Sequence, residues 1–378
     1  MAKQKTAKSL DAQARLRQSV NTVLAALLCI LIGLLVGLIV LLIINPEHAW
    51  DQGFVRIIQG GFYDFPYGVG RTLVNGAPLI MTGLSVAFAF KTGLFNIGAA
   101  GQYTLGAFGG LYCALVLHLP WFICLLASAL FGAVWGAIPG IFKAYLNINE
   151  VITSIMFNWI GLYLVCEIIY GRGSGVMYDA NNTRTWKVAS TSPSSVIPSA
   201  GLSDLFGTTS NTIAIFLAIA VAVLIWVILE KTTFGYELKA VGLNKDAARY
   251  AGINEKKNII LSMTIAGALA GFGAGLLYLS GGAEWNPLNT TTLPAMGFKG
   301  IATALLASSH PIGTIFSSLF ISHITIGGSF LPTRYFPAEI ADMISGIIIY
   351  LCAFAMLFRS LIGRWMQGKG KPAGKEGK

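Results

Sequence analysis

Residues 22–44 run for about 23 positions without a charged side chain, and apolar runs of similar length recur down the chain. About 20 apolar residues in a helix cross the hydrocarbon core of a bilayer. Apart from a closed barrel, only a helix satisfies its own N–H and C=O groups there. The pattern predicts an all-α, polytopic integral membrane protein. Composition agrees, since 11% of the residues are charged against roughly 25% in a soluble domain. The first run is too long for the apolar region of a signal peptide, and Asn45-Pro46-Glu47 closes it without a small-residue cleavage site, so it is expected to stay as an anchor.

Charge then assigns sides. Residues 1–21 carry Lys3, Lys5, Lys8, Arg15 and Arg17 against Asp11 alone, which predicts a cytoplasmic basic tail. From there the expected crossings are 22–44, 73–90 ending at Lys91, a Gly-rich segment from 93 to about 117, 121–142 ending at Lys143, 151–170, 211–229 and 259–279. The rest of the chain must return inside, next to Arg359, Arg364 and Lys369. Three crossings at 294–307, 312–330 and 338–358 do this, giving ten spans in a transmembrane domain at 22–358. One crossing with re-entrant segments, giving eight, stays open.

A second basic tail follows at 359–378. Residues 45–71 read as an external loop with an interfacial amphipathic piece around 54–65. Residues 171–210, rich in Gly, Ser, Thr and Pro, read as a long external loop or cap. The net charge of +10 sits in the two tails and in one internal loop, so positive-inside topology accounts for it and no nucleic-acid partner is expected.

That internal loop, at 230–258, is the main cytoplasmic feature. Between 231 and 257 it holds Lys231, Lys239, Lys245, Arg249, Lys256 and Lys257 with Glu237, Asp246 and Glu255. Its middle reads as a short helix. Asn244 is placed to cap it, Asp246 falls in the first turn where the macrodipole favours an anion, and Gly252 is placed to end it. Ala247, Ala248 and Ala251 give it small faces. A short charged helix slung between spans suits the docking of another protein.

Signatures of catalysis are missing from the sequence. It contains no GxxxxGK[ST], HExxH or GxSxG, so no P-loop ATPase, zincin or serine hydrolase chemistry is expected, and the chain reads as no enzyme. Cys29, Cys113, Cys124, Cys166 and Cys352 lie in apolar runs without CxxC spacing, which predicts neither a disulfide framework nor a metal site. Ionisable residues within the spans are few, chiefly Glu167, Lys299 and Asp342, so proton-coupled transport is disfavoured. Two Gly-rich, interrupted segments near 93–110 and 294–313 are weakly alike, and such pairs mark inverted repeats around a translocation path.

Three ordered blocks carry a resemblance: FNIGAAGQYTLGAFGG at 95–110, GYELKAVGLNKDAARYAGI at 235–253 and GFKGIATALLASSHPIGTIFSSLF at 297–320. Over roughly residues 73–358 the chain resembles the permease subunits of bacterial ABC importers, in the branch of ribose, branched-chain amino-acid and nucleoside permeases. It is most similar there to nucleoside permeases paired with basic-membrane-protein lipoproteins. In many relatives an acid precedes the Gly-Gln pair of the first block; Ala100 stands there in this chain.

The resemblance implies a cell-membrane permease that moves a nucleoside or simple sugar by alternating access. ATP and Mg would be held by a separate cytoplasmic ABC ATPase, with no cofactor on this chain. It further implies a second permease subunit in a heterodimer, an extracytoplasmic substrate-binding lipoprotein, and surrounding membrane lipid. Matched to the island motif, Gly235, Ala240, Gly242, Asn244, Ala247, Ala248, Gly252 and Ile253 become ATPase-coupling positions, with Glu237, Lys239, Asp246 and Arg249 as rim ion-pairing residues.

Candidate pathway residues are Asn96, Gln102, Asn158, Trp159, Trp285 and Asn286, because amides bond bases and sugar hydroxyls and Trp stacks. Helix packing for the amides and an interfacial aromatic belt for the Trp residues stand beside that reading. A stand-alone secondary carrier or channel for a small neutral solute, needing no partner, is the alternative function.

Overall fold

The computed structural model describes residues 24–169, 176–286, 292–337 and 339–354. The basic tails expected at 1–21 and 359–378 lie outside the described residues.

Every expected span corresponds to a helix: α1 (Leu24–Ile44), α2 (Tyr67–Lys91), α3 (Ala99–Leu115), α4 (Trp121–Leu146), α5 (Glu150–Glu167), α6 (Ala214–Lys231), α9 (Glu255–Tyr278), α10 (Ala295–Leu306), α11 (Pro311–Ser329) and α12 (Ile340–Ala353). Between α6 and α9 lie α7 (Thr233–Leu243) and α8 (Lys245–Tyr250). Helices α1, α2, α4, α5, α6, α9 and α11 are long and apolar enough to cross a membrane. The interrupted segments are shorter, with 17 residues in α3 and 12 in α10.

Polar residues at the ends stop the helices. α4 closes on Asn147 in the left-handed region at φ 52°. Two residues later the Asn149 side chain accepts from Val151 N at 2.8 Å and starts α5, and Lys143 pairs with Glu150 at 2.9 Å across the turn.

The described residues form two compact units, those up to 55 with those from 331 onward, and those between 56 and 330. In the first, Gly37 of α1 lets the Ile344 side chain of α12 approach, Gly53 abuts Leu41 and Phe336, and the His48 and Tyr335 rings meet at a 36° tilt with centroids 4.0 Å apart.

In the second, α9 is central and packs on α4, α2 and α3. Its approach to α4 is the closest: a Cβ on Gly132 would fall 2.4 Å from the Gly267 carbonyl oxygen, and one on Gly267 2.2 Å from that of Gly132. Lipid-facing helices associate through such backbone proximity because no hydrophobic drive remains between them. α10 runs along α2, with Gly300 on Thr82 and Thr303 under Gly83. At its start a Cβ on Gly297 would lie 2.4 Å from Ala100 Cα, so the two interrupted helices meet at their first turns.

Three sequence expectations are modified by the structure. Residues 54–65 are largely helical, over Val55–Gln59 and Gly60–Phe62, and α2 begins at Tyr67 rather than near residue 73. The segment after residue 175, expected as a loop or cap, narrows to a folded cap. In it β1 (Tyr178–Asp179) pairs antiparallel with β2 (Arg184–Thr185), and short helices cover Val188–Thr191 and Leu202–Phe206. Ile197 N donates to Leu279 O at 2.9 Å, tying the cap to the end of α9. The island holds two helices where one is expected, because Thr232 Oγ1 accepts from Gly235 N at 3.1 Å and starts α7.

Candidate functional site

The expected coupling residues divide into an arm and a tip. Gly235 and Gly242 belong to the arm, α7, and both seat it on its own chain: a Cβ on Gly235 would fall 2.2 Å from Ile228 O, and one on Gly242 2.5 Å from the Thr92 carbonyl carbon. Lys239 pairs with Glu230 at 3.2 Å, and Glu237 accepts from Asn258 Nδ2 at 3.4 Å. Ala240 is half-buried. Gly235, Glu237, Lys239 and Gly242 fasten the arm.

The tip is α8. Asn244 Oδ1 accepts from both Asp246 N and Ala247 N at 3.0 Å, while Ile253 N donates to Ala248 O at 3.0 Å and Gly252 turns the chain at φ 82°. Asp246 lies in its first turn and Arg249 in its last, each at the end where the macrodipole favours it. Ala248 is buried; Ala247, Asp246 and Arg249 are exposed. With Asn244 capping its first turn, the tip presents Tyr250 at 93% exposure, and Leu243, the arm's last residue beside it, is 89% exposed. Sequence reasoning passed over both, although large apolar residues inside a charged loop are a signal for an interaction surface.

The candidate amides Asn96, Gln102 and Asn158 form a buried knot around the break before α3. Asn96 Nδ2 donates to Gln102 Oε1 at 2.8 Å and lies 3.0 Å from Ser85 Oγ, while Gln102 Nε2 donates back to Asn96 Oδ1 at 3.0 Å. Asn158 on α5 accepts from Gly101 N at 2.8 Å and donates to Ile97 O at 3.0 Å. Their polar groups are spent on one another and on backbone that the interrupted helix leaves bare. Trp159, beside Asn158, points the other way and stacks on Tyr163 at 6.1 Å.

The C-terminal end of α9 carries the remaining candidates. Trp285 is buried and Asn286 exposed. The cap hairpin grips this loop: Thr185 N donates to Trp285 O at 2.9 Å, Trp285 N donates to Thr185 Oγ1 at 3.0 Å, and Glu284 takes Arg184 at 2.6 Å and Lys187 at 3.6 Å. Asp179 braces the hairpin turn, and the amide of Asn182 at 2.6 Å, helped by Asn181 N, holds its carboxyl below the ordinary value of 3.8. An open cleft of about 470 Å³ is lined by Tyr67, Arg71 and Asn75 of α2, the hydroxyls of Thr208, Thr209 and Ser210, and Gly282 and Ala283 just before Glu284. Among the described residues no group of three His, Cys, Asp or Glu is placed to hold a metal.

Helices of membrane-crossing length, two interrupted helices meeting at their first turns and a self-capped helical tip between spans define a polytopic transport-type membrane chain. It belongs to the family described as branched-chain amino acid transport system / permease component, which matches residues 68–353. The chain is 34% identical to a guanosine ABC transporter permease of Bacillus subtilis, over 86% of this chain and 91% of the relative. It is also 34% identical to a nucleoside ABC transporter permease of Lactococcus lactis, over 88% and 90%. A glucose ABC transporter permease of Haloferax volcanii is 29% identical over 84% and 83%. The chain is thus a multi-pass membrane permease subunit of the ABC importer class, a class that works with an ATPase and a substrate-binding protein.

Proposed function

We propose that this chain translocates a nucleoside by alternating access, with ATP and Mg held by a separate ATPase that pushes on the tip at α8. The observation that carries the substrate is the pair of 34% matches over nearly the whole chain, one to a guanosine permease and one to a nucleoside permease. A simple sugar is the second reading, favoured by the match to a glucose permease.

The tip suits the mechanical role. Leu243 and Tyr250 serve as apolar anchors, exposed Ala247 lets a partner backbone approach, and Asp246 and Arg249 supply rim charges. The arm passes movement inward, because Gly242 rests on Thr92–Gly93 at the break before α3. In this reading α7, α8 and both termini are cytoplasmic, the cap faces a substrate-binding lipoprotein outside, and a second, non-identical permease subunit completes the pathway.

Two measurements test it. Ala247→Trp should leave membrane abundance unchanged yet abolish co-purification of the ATPase; full co-purification defeats the docking assignment. Nucleoside uptake should also stop when cellular ATP is depleted while the proton gradient is held constant. Uptake that continues points to a secondary carrier.

A further inference from the structure

Two donors near the C-terminal end of α9 are buried and, among the described residues, have no hydrogen-bond partner: the Tyr103 hydroxyl, in a residue 1% exposed, and the Trp285 indole N–H, in a residue 5% exposed. An orphaned buried donor is rare in folded chains and costs stability, so its persistence calls for a reason. These two flank a single ring. Tyr278 has its centroid 6.3 Å from that of Tyr103 and 5.6 Å from that of Trp285. Tyr103 also lies one turn along α3 from Ala100, where Gly297 of α10 rests, so the trio stands beside the meeting point of the interrupted helices. From the other side the cap holds the Trp285 backbone through Thr185.

We propose that Tyr103, Tyr278 and Trp285 form a recognition site for a flat, neutral heteroaromatic ring with an acceptor edge, a nucleobase. The site rests on the nucleoside reading above. Its chemistry selects the class: aromatic faces stack on a π system, and the Tyr103 O–H and Trp285 N–H each require an acceptor. The neighbouring Glu284 is already engaged by Arg184 and Lys187, so the groups at the trio that still call for a partner are neutral donors. In the described conformation the rings fill the site themselves. A base can occupy the site only when the Trp285 ring is displaced from Tyr278.

The test uses the full chain in cells that also carry its ATPase, its companion permease and its binding lipoprotein, with radiolabelled guanosine, adenosine and uridine as probes. Tyr103→Phe keeps the ring and removes the hydroxyl; Trp285→Phe keeps an aromatic face and removes the N–H. Each should lower initial uptake at sub-saturating nucleoside about tenfold, the loss of one hydrogen bond, at unchanged membrane abundance. Tyr103→Phe should at the same time hold or raise thermal stability, because an orphan is removed. A purely structural role predicts no loss of uptake. Normal uptake by both variants overturns the site, whereas wild-type cells that take up none of the three nucleosides overturn the nucleoside reading beneath it.

Discussion

Residues 96–102 and 244–253 are built from similar parts, an asparagine followed by alanines and glycine, and they do opposite things. Asn96 turns inward to Gln102 and Ser85, while the helix after it starts at Ala99 with no side-chain cap of its own. Asn244 instead spends its oxygen on Asp246 N and Ala247 N, capping the helix that it begins. A helix that caps itself can be held out bare, because its own side chain answers part of its end groups and water answers the rest. One that does not must borrow from the surrounding chain, as α3 does through Asn158. The first arrangement suits a docking tip and the second locks a broken span in place.

Exchanging the damage would break this contrast. The largest effect is expected from Asn158→Leu, which leaves Gly101 N–H and Ile97 C=O without their amide partner in the interior. Each unmade bond costs about 1–3 kcal/mol, enough to deplete folded protein in membranes, as quantitative immunoblotting and thermal aggregation would show. Normal abundance would mean that the knot is not structural. Next in size, Leu243→Ala with Tyr250→Ala should leave abundance and melting unchanged but weaken ATPase association about tenfold or more, since truncating a hot-spot Tyr costs about 2 kcal/mol or more. A loss of folding there would make the tip a packing element like the knot.

The apolar runs made the spans legible, because Lys91, Lys143, Pro120 and Pro311 mark their ends in the sequence as they do in space. The cap and end of α8 were legible too, from Asn244 and Gly252. What stayed hidden was anything set by distance in space. A buried amide announces that it needs partners, but Asn158 finds Gly101 across 57 positions. Gly235 and Gly242 look alike whether they seat a partner or the chain's own backbone, and only their contacts with Ile228 and Thr92 decide. Tyr278 and Trp285 share one helix end and its loop, but nothing in the sequence sets Tyr103, from another helix, beside them.

The smallest effect concerns a third cap, and it sharpens the contrast by adding charge. His310 starts α11 through Nδ1, which accepts from Gly313 N at 3.4 Å. Partial burial and then the charge of Lys91 hold its imidazole below the ordinary 6.5, with Glu230 opposing. The cap needs the neutral ring. A basic group whose folded value is depressed contributes stability above the unfolded value and loses it as pH falls through the folded one. The contribution of His310 is therefore full above about pH 6.5 and fades in more acid solution. Asn244 has no such dependence. Purified wild type should melt lower at pH 5.5 than at pH 7.5, and His310→Asn, which keeps a capping oxygen, should reduce that difference by the equivalent of a few tenths of a kcal/mol. An undiminished difference in the variant would assign the acid sensitivity to other groups and leave α11 capped as independently of pH as α8.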